Sequence, residues 1–214
     1  MKNKKYILWD WNGTIVDDVG IALDAVNMML RHVQRPEITL EEYRKAMDTP
    51  IFLFYEKFFD MEQTDFEWIT RRFQSYYKEH QRELSLHEGV KELLDSFAAG
   101  DCRQIILSSS STQIIRHYAQ SFGVAGYFEK ILGADDLCAA GKIERAIEYF
   151  KDNKIPREET VMIGDSVHDF EVSQTLGIDC ILISEGHQDI KSLQSCGCPV
   201  IKSFKDKKSL NGLI

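Results

Sequence analysis

Asp10-Trp11-Asn12-Gly13-Thr14-Ile15-Val16-Asp17 follows directly on the apolar run Tyr6-Ile7-Leu8-Trp9. A short apolar run that ends in Asp and a Gly turn reads as a buried strand carrying a carboxylate to its C-terminal edge. In open α/β sheets ligands bind at that edge, and an Asp exposed there is a candidate nucleophile. Asn12 is the unusual residue. An Asp at this position would be the natural proton donor, whereas an amide does not give up a proton at neutral pH.

Outward from this stretch, apolar runs recur at Gln104–Leu107, Lys130–Leu132, Val161–Ile163 and Cys180–Ile183, and Val200-Ile201 after Pro199 reads as a last edge strand. Amphipathic helical patterns lie between them. Glu88–Ala99 puts Val90, Leu93, Leu94 and Phe97 on one face, and Thr112–Phe122 and Gly141–Phe150 repeat the spacing. The alternation predicts an α/β fold with parallel strands and helical crossovers. From about Asp18 to Glu83 the pattern is helical without a convincing strand. Thr39-Leu40-Glu41-Glu42 and Thr64-Asp65-Phe66-Glu67 both fit a capping box. The predicted organisation is a core of residues 1–17 and 84–214 with a helical cap of residues 18–83 inserted after the first strand. A cap so placed suits a lid over the active edge; the alternative is a set of helices that braces the sheet.

The chain has 214 residues and a net charge of −8. That balance argues against nucleic acid or an anionic membrane surface as partner, and the expected assembly is a monomer or weak homodimer. The N-terminal apolar run stops at Asp10, too short for a signal peptide, and no stretch approaches a transmembrane span. With five cysteines, an odd number, the thiols read as reduced and the location as cytoplasmic. Cys196-Gly197-Cys198 reads as two incidental thiols in a late turn, because no second ligand pair accompanies them.

Three further motifs fall at strand ends or helix starts. Ser108, with Ser109, Ser110, Ser111 and Thr112 behind it, reads as a phosphate cradle or as a helix cap. Lys142 opens a helix, where its charge can hold Asp10 and phosphate oxygens together. Gly164-Asp165-Ser166-Val167-His168-Asp169 carries two acids that can face one hard cation. Asp165 is the better direct ligand; Asp169 binds directly, through water, or by orienting Lys142. The oxygen-only donor set suits Mg²⁺. His168 is expected to face solvent or support the site from outside; His187 reads as a loop histidine or as a neighbour of the site, and these two histidines are the first suspects to supply the proton that Asn12 cannot. Arg44, Lys45, Thr49 and Lys57 are read as cap surface, the alternative being residues that reach down from the cap to select substrate.

With these four motifs in this order, the chain resembles the haloacid dehalogenase-like hydrolases, whose phosphatases carry Asp-x-Asp-Gly-Thr where this chain has Asp-Trp-Asn-Gly-Thr. The resemblance implies a Rossmann-like core with a parallel sheet and an inserted α-helical cap of the C1 type, close to phosphoglycolate phosphatases. It implies Asp10 as nucleophile, the backbone carbonyl of Asn12 with Asp10, Asp165 and Asp169 around Mg²⁺, Ser108 and Ser109 at the phosphate, and Lys142 bridging the two. A small phosphorylated metabolite is the implied substrate. In relatives the second Asp protonates the leaving alcohol and then activates water. Asn12 cannot, so the expected enzyme is slow on alkyl phosphates and gains turnover from Asn12→Asp. The alternatives are a protein that binds Mg²⁺ and a phosphorylated ligand without turnover, or one that transfers the phosphoryl group to an acceptor other than water. A dehalogenase has no need of the acid pair, and no G-x-G-x-x-G follows a strand to suggest a dinucleotide enzyme.

Overall fold

Each strand expected from an apolar run is present in the computed structural model, which describes residues 4–134 and 141–205. The strands are β1 (Tyr6–Trp9), β2 (Arg103–Ser111), β3 (Phe128–Ala134), β4 (Thr160–Gly164), β5 (Asp179–Ile183) and β6 (Val200–Ile201). They lie in the order β3-β2-β1-β4-β5-β6, and every pairing in this sheet is parallel. This is the doubly wound order, in which the chain runs out to one side of β1 and then to the other. The reversal lies between β1 and β4, so Asp10 and Asp165 leave the sheet side by side at its carboxyl edge.

Alternate residues of the central strands enter two separate apolar layers. Ile7, Trp9, Ile106, Val161, Ile163, Ile181 and Ile183 pack on one face. Leu8, Ile105, Leu107, Met162, Cys180 and Leu182 pack on the other. Period-two side-chain alternation with both faces covered accounts for apolar runs without polar breaks. Trp9 donates from Nε1 to Gln104 Oε1 at 3.1 Å, and Gln104 donates to the Leu94 carbonyl, so this core amide is satisfied.

The 18–83 stretch holds four α-helices, α1 (Val19–His32), α2 (Leu40–Ala46), α3 (Phe52–Tyr55) and α4 (Phe66–Glu79), and ends in a 3-10 turn at Gln81–Glu83. They share a third apolar cluster built on Val26, Met29, Leu30, Tyr43, Phe54, Tyr55, Phe59 and Ile69. The capping box at Thr39 forms as expected. The one expected at Thr64 does not: Asp65 is the N-cap and accepts from the Glu67 N–H, a carboxylate being a stronger acceptor one residue nearer the helix. A two-residue antiparallel ribbon, Val16–Asp17 against Ser85–Leu86, joins the two ends of this stretch and was not foreseen, being too short to show periodicity. The remaining helices are α5 (Val90–Ala99), α6 (Thr112–Ser121), α7 (Lys142–Asn153), α8 (Val167–Leu176) and α9 (Ile190–Ser195). Among the described residues no helix is long and apolar enough to cross a membrane.

Candidate active site

Four residues from three widely separated segments meet at the carboxyl edge. Asp10, Asp165 and Asp169 are buried and offer carboxylate oxygens that all lie within 4.8 Å of one another. Lys142, the first residue of α7, donates from Nζ to Asp10 Oδ1 and to Asp169 Oδ1, each at 2.5 Å. Asp10 is carried by the end of β1, and its own N–H continues the ladder to the Ile163 carbonyl. Gly13 adopts φ +71°, and a Cβ there would overlap the Asp165 carboxylate, so only glycine lets the turn approach the acid this closely. Thr14 closes the turn by donating to Asp165 Oδ1 at 3.1 Å.

The two acids of the second motif have different surroundings. Asp165 accepts from Thr14 and, at 2.6 Å, from the His187 N–H. Asp169 completes a capping box with Ser166 at the start of α8 and also accepts from the Asp165 N–H. With one oxygen on Lys142 and the other on these cap donors, Asp169 is placed to orient the lysine and the helix. His168 sits on the outer side of α8 and faces Glu171, as expected of a surface histidine.

The serine run behaves differently from the sequence expectation. The strand does not stop before Ser108 but pairs onward to Ser111, with a register shift between Leu107 and Ser111. Such irregularities re-aim side chains at sheet edges. Ser108 is buried, its Oγ accepts from the Ser110 N–H, and its carbonyl accepts from Arg145 Nη2 at 2.8 Å. The α7 helix therefore supplies both Lys142 and Arg145 to this edge. Ser109 is exposed, and Ser110 is the serine whose hydroxyl reaches Asn12, at 2.7 Å from Oδ1. Ser111 caps α6.

Asn12 is tied on its other side as well. Its Nδ2 donates to Asp18 Oδ2 at 2.7 Å and to the Tyr77 hydroxyl at 3.1 Å. Asp18 in turn accepts from the Gly13 N–H, from Tyr77 and from His187 Nε2. His187 is thus no free loop histidine: its side chain is enclosed, and Nδ1 meets the Tyr43 hydroxyl at 2.9 Å. Arg44 also leaves the surface role expected of it, donating to the carbonyls of Glu185 and Gly186 on the same loop. Asp18, Tyr43 and Tyr77 are the neighbours that sequence reasoning missed; Tyr43 and Tyr77 sit on segments that only tertiary folding brings to the motif, while Asp18 directly follows it.

The electrostatics follow from three buried carboxylates in one place, two of them held by the Lys142 ammonium and the third facing His187. Burial pushes Asp10 up to about 8, with Asp169 and Asp165 adding to the rise against Lys142. Burial likewise raises Asp165 to about 6, opposed mainly by His187. Asp169 is held low in spite of burial by Lys142 and the cap hydrogen bonds. Asp18 is also held low against its burial, by His187, Asn12 and the Gly13 N–H. Burial works to lower His187, but Asp18 and Asp165 carry it up to about 9. Excess negative charge in an oxygen-only cluster of this size fits a small hard divalent cation. Among the described residues no group of three metal-ligating side chains includes a cysteine, and Cys138 lies outside the described residues.

The family model for haloacid dehalogenase-like hydrolases matches residues 7–183. The chain belongs to that family. A phosphoglycolate phosphatase of Chromobacterium violaceum is 24% identical over 203 residues, covering 90% of each chain. Another, of Caulobacter vibrioides, is 25% identical over 95% of this chain and 89% of its own. Among solved structures, the haloacid dehalogenase-like family protein SP0104 of Streptococcus pneumoniae superposes with a TM-score of 0.84 at 18% identity, covering 99% of this chain and 100% of that one. The doubly wound parallel sheet is therefore the fold of this hydrolase family, as the sequence resemblance implied.

Proposed function

We propose that this hydrolase is a Mg²⁺-dependent phosphatase that cleaves a small phosphomonoester through an aspartyl-phosphate on Asp10. The observation that carries the reading is the convergence of Asp10, Asp165, Asp169 and Lys142 on one point of the carboxyl edge. Relatives named as phosphoglycolate phosphatases support a small anionic phosphate ester as the substrate class.

In this reading the free oxygen of Asp10 attacks phosphorus in line, the bond to the leaving oxygen breaks, and Lys142 holds the nucleophile and a phosphoryl oxygen in one frame. Ser108, with Ser109 beside it, binds the phosphate. Asp10, the Asn12 carbonyl and Asp165 would hold Mg²⁺, with Asp169 orienting Lys142. When bound, the ion offsets charge on the phosphoryl oxygens and the carboxylates. Water then attacks the acyl phosphate, releasing inorganic phosphate and restoring Asp10. The helices of residues 18–83 act as the cap, reaching the site through Tyr43, Arg44 and Tyr77.

Asn12 cannot protonate the departing alkoxide or deprotonate the water. General acid–base assistance is worth roughly 10²–10⁴-fold, about 3–5 kcal/mol of barrier. Aryl phosphates, whose phenolates leave without a proton, should be turned over far faster than alkyl phosphates. A panel of phosphate esters graded in leaving-group acidity, assayed with and without Mg²⁺, tests the reading. Mg²⁺-dependent phosphate release whose kcat/KM, which reports the steps up to departure of the leaving group, rises steeply with leaving-group acidity supports it; no Mg²⁺-dependent release even from aryl phosphates overturns it.

A further inference from the structure

We infer that Asn12 is an amide because it is matched to Asp18, which acts as the positioning residue of the nucleophile loop. The Asp18 carboxylate is buried and accepts four hydrogen bonds: from Asn12 Nδ2 at 2.7 Å, the Gly13 N–H at 2.7 Å, the Tyr77 hydroxyl at 3.0 Å and His187 Nε2 at 3.1 Å. Two of these donors belong to the turn that follows Asp10, one to helix α4 and one to the loop after β5. Asp18 therefore fixes the turn relative to both the inserted helices and the loop that touches Asp165. Asn12 is oriented by the same contact, since its Nδ2 must face the carboxylate while Oδ1 accepts from Ser110.

A carboxylate at position 12 would meet this arrangement badly. It would lose the donation to Asp18 and set two acid oxygens at about hydrogen-bond distance in a buried place, where like charges repel strongly. The donor–acceptor pattern needs one amide and one carboxylate across this pair. On this inference, unlike the sequence expectation, Asn12→Asp alone should bring no gain in turnover: the carboxylate has to be exchanged, not added. In Asn12→Asp/Asp18→Asn the hydrogen bond between the two side chains reverses direction, and the acid returns to position 12 beside Asp10.

The turnover arm of the test rests on the phosphatase reading, and the stability arm does not. Thermal unfolding of the metal-free protein is measured for the wild type, each single variant, the exchanged pair and Asn12→Ala. Asn12→Asp and Asp18→Asn should each lower Tm by about 5–10 °C, from loss of a buried charge-assisted hydrogen bond or gain of a like charge. The exchanged pair should recover more than half of the summed loss, a coupling that independent sites do not show. Asn12→Ala, which removes the donor without adding charge, should cost less than Asn12→Asp. On an alkyl phosphate with Mg²⁺, kcat of the exchanged pair should exceed that of wild type by at least tenfold while Asn12→Asp gives no gain. Additive losses, an exchanged pair that fails to fold while Asn12→Ala folds, or a kcat gain in Asn12→Asp equal to that of the pair would overturn the inference. Strong Tm coupling with no hydrolysis by any variant would leave the matched pair standing and count against the phosphatase reading.

Discussion

Lys142 Nζ lies 2.5 Å from Asp10 Oδ1, joining the first turn of α7 to the end of β1 across 132 residues. The lysine side chain is 4% exposed, so it is a buried charge with purpose-built partners and no solvated helix start. Removing one partner of such a pair leaves the others uncompensated, at a cost of about 3–5 kcal/mol. Lys142→Met should therefore lower Tm of the metal-free protein by roughly 10 °C at neutral pH, as read by thermal unfolding. A change within about 2 °C would show that the ammonium does not hold the carboxylates together.

Stability of the metal-free protein should fall as pH rises from about 5 to 9. Asp10 and Asp165 are raised, to about 8 and about 6, so the fold favours their protonated forms. Their contribution is fully present below the ordinary Asp range and is lost as pH climbs through those values. His187, raised to about 9, has the same sign: its contribution holds below the usual histidine range and fades as pH passes through 9. Asp18 and Asp169, both held low, act the other way and weaken the fold only in acid. Urea unfolding across this range checks the sign; stability that climbs steadily from pH 5 to 9 would contradict it.

Millimolar Mg²⁺ should raise Tm, because an ion that binds the fold alone stabilises it by about 2.7 kcal/mol at a hundred times its Kd. The gain should grow with pH as protons stop competing for Asp10 and Asp165. Asp165→Asn keeps an acceptor for Thr14 but removes a ligand charge, and should abolish most of the Mg²⁺-induced shift. An equal shift in variant and wild type would place the ion elsewhere.

Much of this architecture was legible in the residues. Strands buried on both faces read as continuous apolar runs, so β1, β4 and β5 were found nearly to the residue, and Asp10, Lys142 and Asp165 stood out as candidates because each follows or opens a regular element and falls on a motif of the family the chain resembles. The serine run was harder: serine has no strand preference, yet the ladder carries β2 through Ser108 to Ser111. Asp18 was invisible as a site residue because a lone acid before a helix reads as a cap. His187 and Tyr43 lie 144 residues apart, and nothing local in either segment announces their contact.

The most direct measurement is acid-quench mass spectrometry of the protein mixed with an aryl phosphate and Mg²⁺. With the leaving group needing no proton and Asn12 unable to activate water, the first step outruns the second and the acyl phosphate should accumulate. A one-phosphoryl mass gain on the peptide containing Asp10, absent in Asp10→Asn together with all phosphate release, is the expected result. A phosphoryl group on any other residue, or full hydrolysis by Asp10→Asn, would contradict the central claim that this carboxylate attacks phosphorus.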